Sequence, residues 1–173
     1  MVEHGRSVIR PAVANDANEI AAIYNHYIEH STATFEEQPL SAAQVADRMQ
    51  SVARAGLPWL LNERAGVLQG YAYATPWRER TAYRHSVEIS AYVRPDQSRL
   101  GGGSLLYEAL IEQLAHLGKH SLIGVVTLPN PASAAFHKKM GFVQVAHLQQ
   151  VGFKFGRWLD VGYWQRLLGK PEG

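Results

Sequence analysis

Along this chain the apolar positions switch repeatedly between a period of two and a period of about 3.6, which divides it into short strands and helices. Ser7 to Val13 reads as a first strand. Asn15 or Asp16 then caps a helix in which Ile20, Ile23, Tyr24, Tyr27 and Ile28 recur on one face. A polar stretch, His30 to Pro39, follows. Ser41 and Gln44 form a capping-box pattern that opens a second helix, ended near Gly56.

Trp59 to Glu63 and Val67 to Ala74, parted by Arg64-Ala65-Gly66, predict a hairpin. Thr75 to Tyr83 is a charged connection containing proline, and His85 to Val93 is a long strand that stops at Arg94-Pro95-Asp96. Leu105, Leu106, Ala109, Leu110, Leu114 and Leu117 form a helical stripe that Gly118 ends. Leu122 to Val126 is a short β-branched strand, and Asn130-Pro131 starts a last helix that ends at Gly141. Phe142 to Leu148 and Val151 to Val161 predict closing strands that turn at Gln149-Gln150. Strands and helices mixed without strict alternation predict an α/β or α+β domain in three layers around one mostly antiparallel sheet. No repeat or linker divides the chain, so residues 1–173 are expected to form a single domain with its core at about 7–168.

Composition narrows the function. The hydrophobic share of 46% and charged share of 18% are those of a globular protein. No apolar run approaches the roughly 18 residues of a membrane span, and the first residues lack a signal peptide's apolar segment. The absence of cysteine removes disulfides and thiolate metal sites and fits a cytoplasmic protein. A net charge of +2, with scattered bases, argues against nucleic acid and for a small-molecule partner.

The chemistry concentrates between Ile89 and Tyr107, where a strand leads through Leu100-Gly-Gly-Gly-Ser104 into a helix. A helix N-terminus offers unpaired N–H groups and partial positive charge, so it binds phosphate oxygens. Consecutive glycines let the backbone come that close. No lysine follows as in a Walker loop, and the G-x-G-x-x-G register of a dinucleotide fingerprint is missing.

These residues resemble the GNAT acetyltransferases, whose cofactor loop carries Q/R-x-x-G-x-G/A. Gly101 and Gly103 fit its glycines, while Ser98 stands where Gln or Arg is usual, with Gln97 and Arg99 as neighbours. Asn130-Pro-Ala-Ser-Ala-Ala-Phe-His-Lys-Lys-Met-Gly-Phe142 is similar to a second family block. Ala82 to Val93 and Val151 to Gln165 resemble the phosphinothricin and methionine sulfoximine acetyltransferase branch. The resemblance implies a GNAT-like domain that uses acetyl-CoA and no metal, commonly as a homodimer. It implies that the backbone of Ala91, Tyr92 and Val93 pairs with the pantetheine arm. Arg99, Leu100, Gly101, Gly102, Gly103 and Ser104 then hold the pyrophosphate, and Asn130 contacts the arm. The implied acceptor is the amine of a small amino acid that carries a tetrahedral phosphorus or sulfur group.

Acetyl transfer needs a neutral amine, and an α-amine of pKa about 8 asks only for a modest base. Glu88 is the candidate, on the strand face opposite Val87, Ile89, Ala91 and Val93. His137 stands where many relatives carry a tyrosine that protonates the thiolate; acid, second base and packing residue are all open to it. Arg78 and Arg80 offer planar forks for a substrate oxyanion, or are simply a solvated loop. Phe35 and Glu36 match a further segment of the branch, which implies a pocket wall and an amine contact. His26 with His30, and His116 with His120, have zinc-like spacing but no third ligand. With no G-x-S-x-G elbow and no cysteine, direct transfer in a ternary complex is favoured over an acetyl-enzyme. The competing readings are a general small-amine or protein N-terminal acetyltransferase, and a CoA-sensing module without turnover.

Overall fold

The chain builds one sheet from β1 (Ser7–Pro11), β2 (Trp59–Arg64), β3 (Val67–Pro76), β4 (Ser86–Val93), β5 (Ser121–Leu128), β6 (Val143–Lys154) and β7 (Arg157–Leu167). Among the described residues four α-helices accompany it: α1 (Ala17–His30), α2 (Ala42–Arg54), α3 (Gly102–His116) and α4 (Pro131–Lys139). The computed structural model describes residues 6–97 and 101–169. Sheet order is β1-β2-β3-β4-β5-β7-β6, as expected mixed and mostly antiparallel. Among the described residues, the one parallel pair is β4 with β5.

Local chemistry sets the helix starts. Ser41 and Gln44 close the predicted capping box on α2, the Ser41 hydroxyl accepting from Gln44 N–H at 3.2 Å and the Gln44 side chain accepting from Ser41 N–H at 2.9 Å. Such a cap is worth about 1 kcal/mol. Before α1 the chain makes a 3₁₀ turn at Ala14–Asp16, and Asp16 accepts from Val13 N–H at 2.7 Å. The apolar face of α1 (Ile20, Ile23, Tyr24, Ile28) is buried, as its spacing predicts. Leu106, Leu110 and Leu114 of α3 are fully buried. That helix packs across β1 to β4.

The closing hairpin differs from expectation. β6 runs on through Gln149-Gln150, and the chain turns at Phe155-Gly156. Both turn residues have positive φ, 53° and 72°, as a two-residue hairpin of the right twist requires. At Gln150, also left-handed at φ 49°, the β6–β7 register slips between Leu148 and Gly152, so the polar pair marks a bulge inside one long strand.

The most consequential feature is where pairing stops. Ser86, Val87 and Glu88 pair with Ser121, Leu122 and Ile123, and beyond them β4 and β5 part. The rest of β4 remains bonded to β3 alone, up to Val93 opposite Gly70.

Candidate active site

The parted strands enclose a cleft of about 120 Å³ lined by Ile89, Ser90, Ala91 and Tyr92 on one side and Val125, Val126 and Thr127 on the other. Tyr27, Tyr107, Asn130, Ser133 and His137 complete its walls. Arg94 N–H donates to Gln69 C=O on β3 at 2.8 Å. By the alternation of an antiparallel pair, Ala91 and Val93 therefore turn their N–H and C=O groups away from β3, into the cleft. Val93 C=O accepts from the Tyr27 hydroxyl at 2.5 Å. Ala91 keeps a free strand edge, the kind an extended amide-bearing ligand can pair with.

The cleft continues into a groove of about 350 Å³ lined by Ala91, Val93, Gly101, Gly103, Ser104, Ser133 and Phe136. Gly101 caps α3 at φ 76°, a conformation glycine adopts without strain. A Cβ on Gly102 would fall 2.7 Å from the Asn62 Nδ2 beneath it. A Cβ on Gly103 would make only ordinary contacts, 3.5 Å from Val93, so its bareness serves the groove and not the packing. The first turn of α3 thus points N–H groups into an open, glycine-walled groove, which suits a pyrophosphate. Lys139 Nζ, 3.5 Å from Ser104 Oγ, adds positive charge to it. Ser98, Arg99 and Leu100 lie outside the described residues.

Asn130 caps α4, its Oδ1 accepting from Ser133 N–H at 3.0 Å. That commitment leaves the amide's N–H side for the cleft that Asn130 lines. Free strand edge, glycine groove and Asn130 amide together fit an extended, amide-containing ligand with a phosphate end.

Glu88 sits at the last rung before the strands part, opposite Thr75 on β3 and Ile123 on β5. Its side is shared by Tyr73, Ser90 and Tyr92, under Tyr24 and Tyr27 of α1. Half-buried there, its carboxyl is held above the usual carboxylate range by desolvation. A carboxylate displaced toward neutrality is a better proton acceptor than one in open water.

His137 is buried at 5% exposure. Its Nδ1 lies 2.8 Å from Ser133 C=O and its Nε2 lies 3.2 Å from the Tyr107 hydroxyl. A carbonyl only accepts, so Nδ1 carries the proton and Nε2 receives the tyrosine's. Burial lowers the imidazole's pKa, which keeps it neutral. Gly124 makes room, because a Cβ there would collide with Nε2. A lone glycine in the Leu122–Val126 strand pattern signals such a close approach, and it was the available clue to this contact.

The remaining candidates occupy separate ground. Arg78 and Arg80 are exposed, on an open concavity of about 850 Å³ with Trp77, Glu79 and Tyr83. Arg78 stacks on Trp77 at 5.1 Å. Trp77 N–H bonds Ser86 C=O, which ties this segment to the Glu88 end of β4. Glu36 is taken by Arg48, at 2.5 and 3.0 Å, and this pairing holds its carboxyl below the usual range. Phe35 lies on Gly152 of the β6 bulge. Two residues hold this loop: Tyr24, from the apolar face of α1, bonded to Thr34 Oγ1 at 2.7 Å, and the fully buried Lys154, donating to Ser31 and Thr34 C=O at 2.8 Å each. Of the paired histidines, the His26 and His30 rings lie 4.9 Å apart and tilted by 53°, and His116 bonds its own helix. No group of three metal-ligating side chains forms among the described residues, and no described helix is long and apolar enough to cross a membrane.

Comparison with known proteins agrees with this geometry. An acetyltransferase (GNAT) domain model matches residues 9–162. The chain is 40% identical to the phosphinothricin N-acetyltransferase of Streptomyces viridochromogenes, over 94% of this chain and 88% of that one. It is 39% identical to an L-methionine sulfoximine/L-methionine sulfone acetyltransferase of Pseudomonas aeruginosa, over 91% and 92%. A GNAT superfamily phosphinothricin acetyltransferase from Sinorhizobium meliloti, solved in complex with acetyl-CoA, superposes with a TM-score of 0.91 at 37% identity, covering 96% of this chain and 94% of that one.

Proposed function

The chain belongs to the GNAT acetyltransferase family and is an acetyl-CoA-dependent N-acetyltransferase, and on that premise we propose that it acetylates the amine of small amino-acid-like acceptors of the phosphinothricin and methionine sulfoximine kind. The observation that carries this reading is the split after Glu88. It leaves a free strand edge at Ala91, aimed at the glycine groove, with a pKa-raised carboxylate at the fork. Acetyl-CoA supplies an activated acyl group on a thiol leaving group. Ala91, Val93 and Asn130 line the course of its arm, and Gly101 to Ser104, with Arg99 and Leu100 before them, take the pyrophosphate.

Glu88 receives the amine's proton, directly or through water, and transfer runs in a ternary complex without an acetyl-enzyme. Two points support this: the chain has no cysteine, and its cleft histidine is already hydrogen-bonded on both nitrogens. Arg78 and Arg80 meet the acceptor's oxyanion, and Phe35 walls its pocket. Glu36, paired with Arg48, acts by holding that wall. Names and identities of the relatives support the acceptor class. We place the protein in the cytoplasm, and as a homodimer whose contact is the apolar outer strip of the β6–β7 hairpin.

The test is thiol release from acetyl-CoA across phosphinothricin, methionine sulfoximine, ordinary amino acids, polyamines and peptides. Turnover confined to the first two and their close analogues is expected. Turnover of peptides but not methionine sulfoximine would reassign the acceptor to protein N-termini.

A further inference from the structure

The family position that commonly supplies a proton to the departing thiolate is His137 here, yet this imidazole has none to give into the cleft. Its one N–H, on Nδ1, is spent on Ser133 C=O at 2.8 Å. Its Nε2 lies against Gly124 on one side and 3.2 Å from the Tyr107 hydroxyl on the other. The proton between the two side chains belongs to tyrosine. Tyr107 comes from the second turn of α3 and lines the same cleft as Ala91, Asn130 and His137.

We propose that Tyr107 is the catalytic residue that meets the thioester sulfur, donating a hydrogen bond to it, and that His137 is a positioning residue behind it. This rests on the acetyl-transfer reading of the cleft.

Two neighbouring hydroxyls of the cleft have contacts of their own. Tyr27 is committed to Val93 C=O. Ser133 Oγ lies 3.4 Å from His137 Nδ1, the nitrogen turned away from Tyr107. The Tyr107 ring is fixed edge-on by Phe136 at 4.9 Å and by His137 at 5.7 Å, with Phe142 at 6.1 Å. Its hydroxyl can therefore rotate while its oxygen stays in place. Before reaction the O–H bonds neutral Nε2. As the C–S bond breaks and its electron pair remains on sulfur, the O–H turns to that sulfur. It exchanges a neutral hydrogen bond for a charge-assisted one about twice as strong, so the gain arises where negative charge develops.

Tyr107 keeps its proton throughout. Burial, together with the negative charge of Glu88, holds its ionisation far above that of a thiol, ordinarily about 8.5. The thiolate takes its proton from solvent on release, and the proton gathered by Glu88 returns to solvent, so charge and protons balance. Among the described residues, the titratable groups that act on Tyr107 are Glu88, through its charge, and His137, through the hydrogen bond.

The test reads the bond without any acceptor. The thiol of CoA bound to the protein is titrated by its thiolate ultraviolet absorbance, in the wild type and in Tyr107→Phe, which keeps the ring and its packing. Expected is a bound thiol more acidic than that of free CoA, with Tyr107→Phe raising its pKa by about one unit, a tenfold change. CoA affinity measured by calorimetry below the thiol's pKa stays within about twofold in that variant. His137→Ala shifts the thiol less. Single-turnover acetyl transfer in Tyr107→Phe falls at least about tenfold. A wild-type thiol no more acidic than free CoA overturns the proposal, and that measurement needs no variant to fold. So does an unchanged thiol in Tyr107→Phe, or a shift produced by His137→Ala alone. Failure of the acceptor assignment would show instead as absent turnover with phosphinothricin and methionine sulfoximine while the titration behaves as expected.

Discussion

The ring of Phe35 occupies the space that a Cβ on Gly152 would need. The loop between α1 and α2 is thereby fitted onto the bulge of β6, and Lys154, two residues further along that strand, grips the same loop by two carbonyls. Gly152→Ala must displace the ring. The expected result is an acceptor KM raised about tenfold with acetyl-CoA KM little changed. Overpacking should also cost about 1–3 kcal/mol, read by denaturant melts.

Glu36 and Arg48 make the second clasp on this loop, 12 residues apart in sequence. If Glu36 works by holding the wall, Arg48→Ala and Glu36→Gln weaken acceptor use to a similar extent, each by several-fold. A far greater loss in Glu36→Gln would mean that the carboxylate itself binds the amine. The folded carboxyl is depressed by Arg48, so the clasp is complete above the ordinary carboxylate range. It is lost only as pH falls through the lowered value.

Glu88 titrates in the opposite sense. Its folded pKa is raised, so the folded state holds this proton more tightly than the unfolded chain. Ionising it at higher pH therefore opposes folding. Activity should rise with pH through an inflection above the usual carboxylate range. Glu88→Gln should lower kcat by about 100-fold or more and remove that inflection. The same variant should be at least as stable as the wild type at neutral pH, the difference closing in acid. A variant with wild-type rate would remove Glu88 from the base role.

Gly102 and Asn62 form a coupled pair. Asn62 is buried with both amide atoms unpartnered, and its Nδ2 lies where an alanine Cβ at 102 would press. Gly102→Ala alone should destabilise by about 1–3 kcal/mol and weaken acetyl-CoA binding. In an Asn62→Ala background the same change should become favourable by about 0.5–1 kcal/mol, the usual gain for alanine over glycine in a helix. A double-mutant cycle in chemical denaturation measures the coupling, and additive effects would deny it.

The outer strip of the terminal hairpin predicts assembly. Val143, Val145, Val151 and Phe153 on the edge strand β6, Phe155 in the turn and Trp158 on β7 are exposed. Phe153 and Trp158 pack together at 5.0 Å with over half of each ring's residue open. A second copy covering this strip gives a dimer in sedimentation equilibrium, and Phe153→Glu shifts it toward monomer. A wild-type monomer at micromolar concentration would count against the homodimer.

What the chain order alone determined is whatever neighbouring residues decide among themselves. The capping box at Ser41 and Gln44, the Asn130 cap, the stripe of α3 and the glycine turn before it need only a few residues of context, because their hydrogen bonds and periodicities are local. Glu88 was legible for the same reason: strand alternation puts it opposite Val87 and Ile89, and the glycine turn follows a few residues later. The turn of the last hairpin was misplaced because Gln149-Gln150 looks like a polar turn, whereas Phe155-Gly156 holds the required left-handed pair. Tertiary structure decided the rest. The parting of β4 from β5 follows from how two strands more than 30 residues apart share three rungs and no more. The occupation of Glu36 by Arg48, the anchoring of the Phe35 loop by Lys154, and the loss of His137's cleft-facing proton to the Ser133 and Tyr107 contacts are all meetings of side chains. A spacing pattern carries no information about such partners, since burial and hydrogen-bond exchange assign them only once the sheet has closed around them.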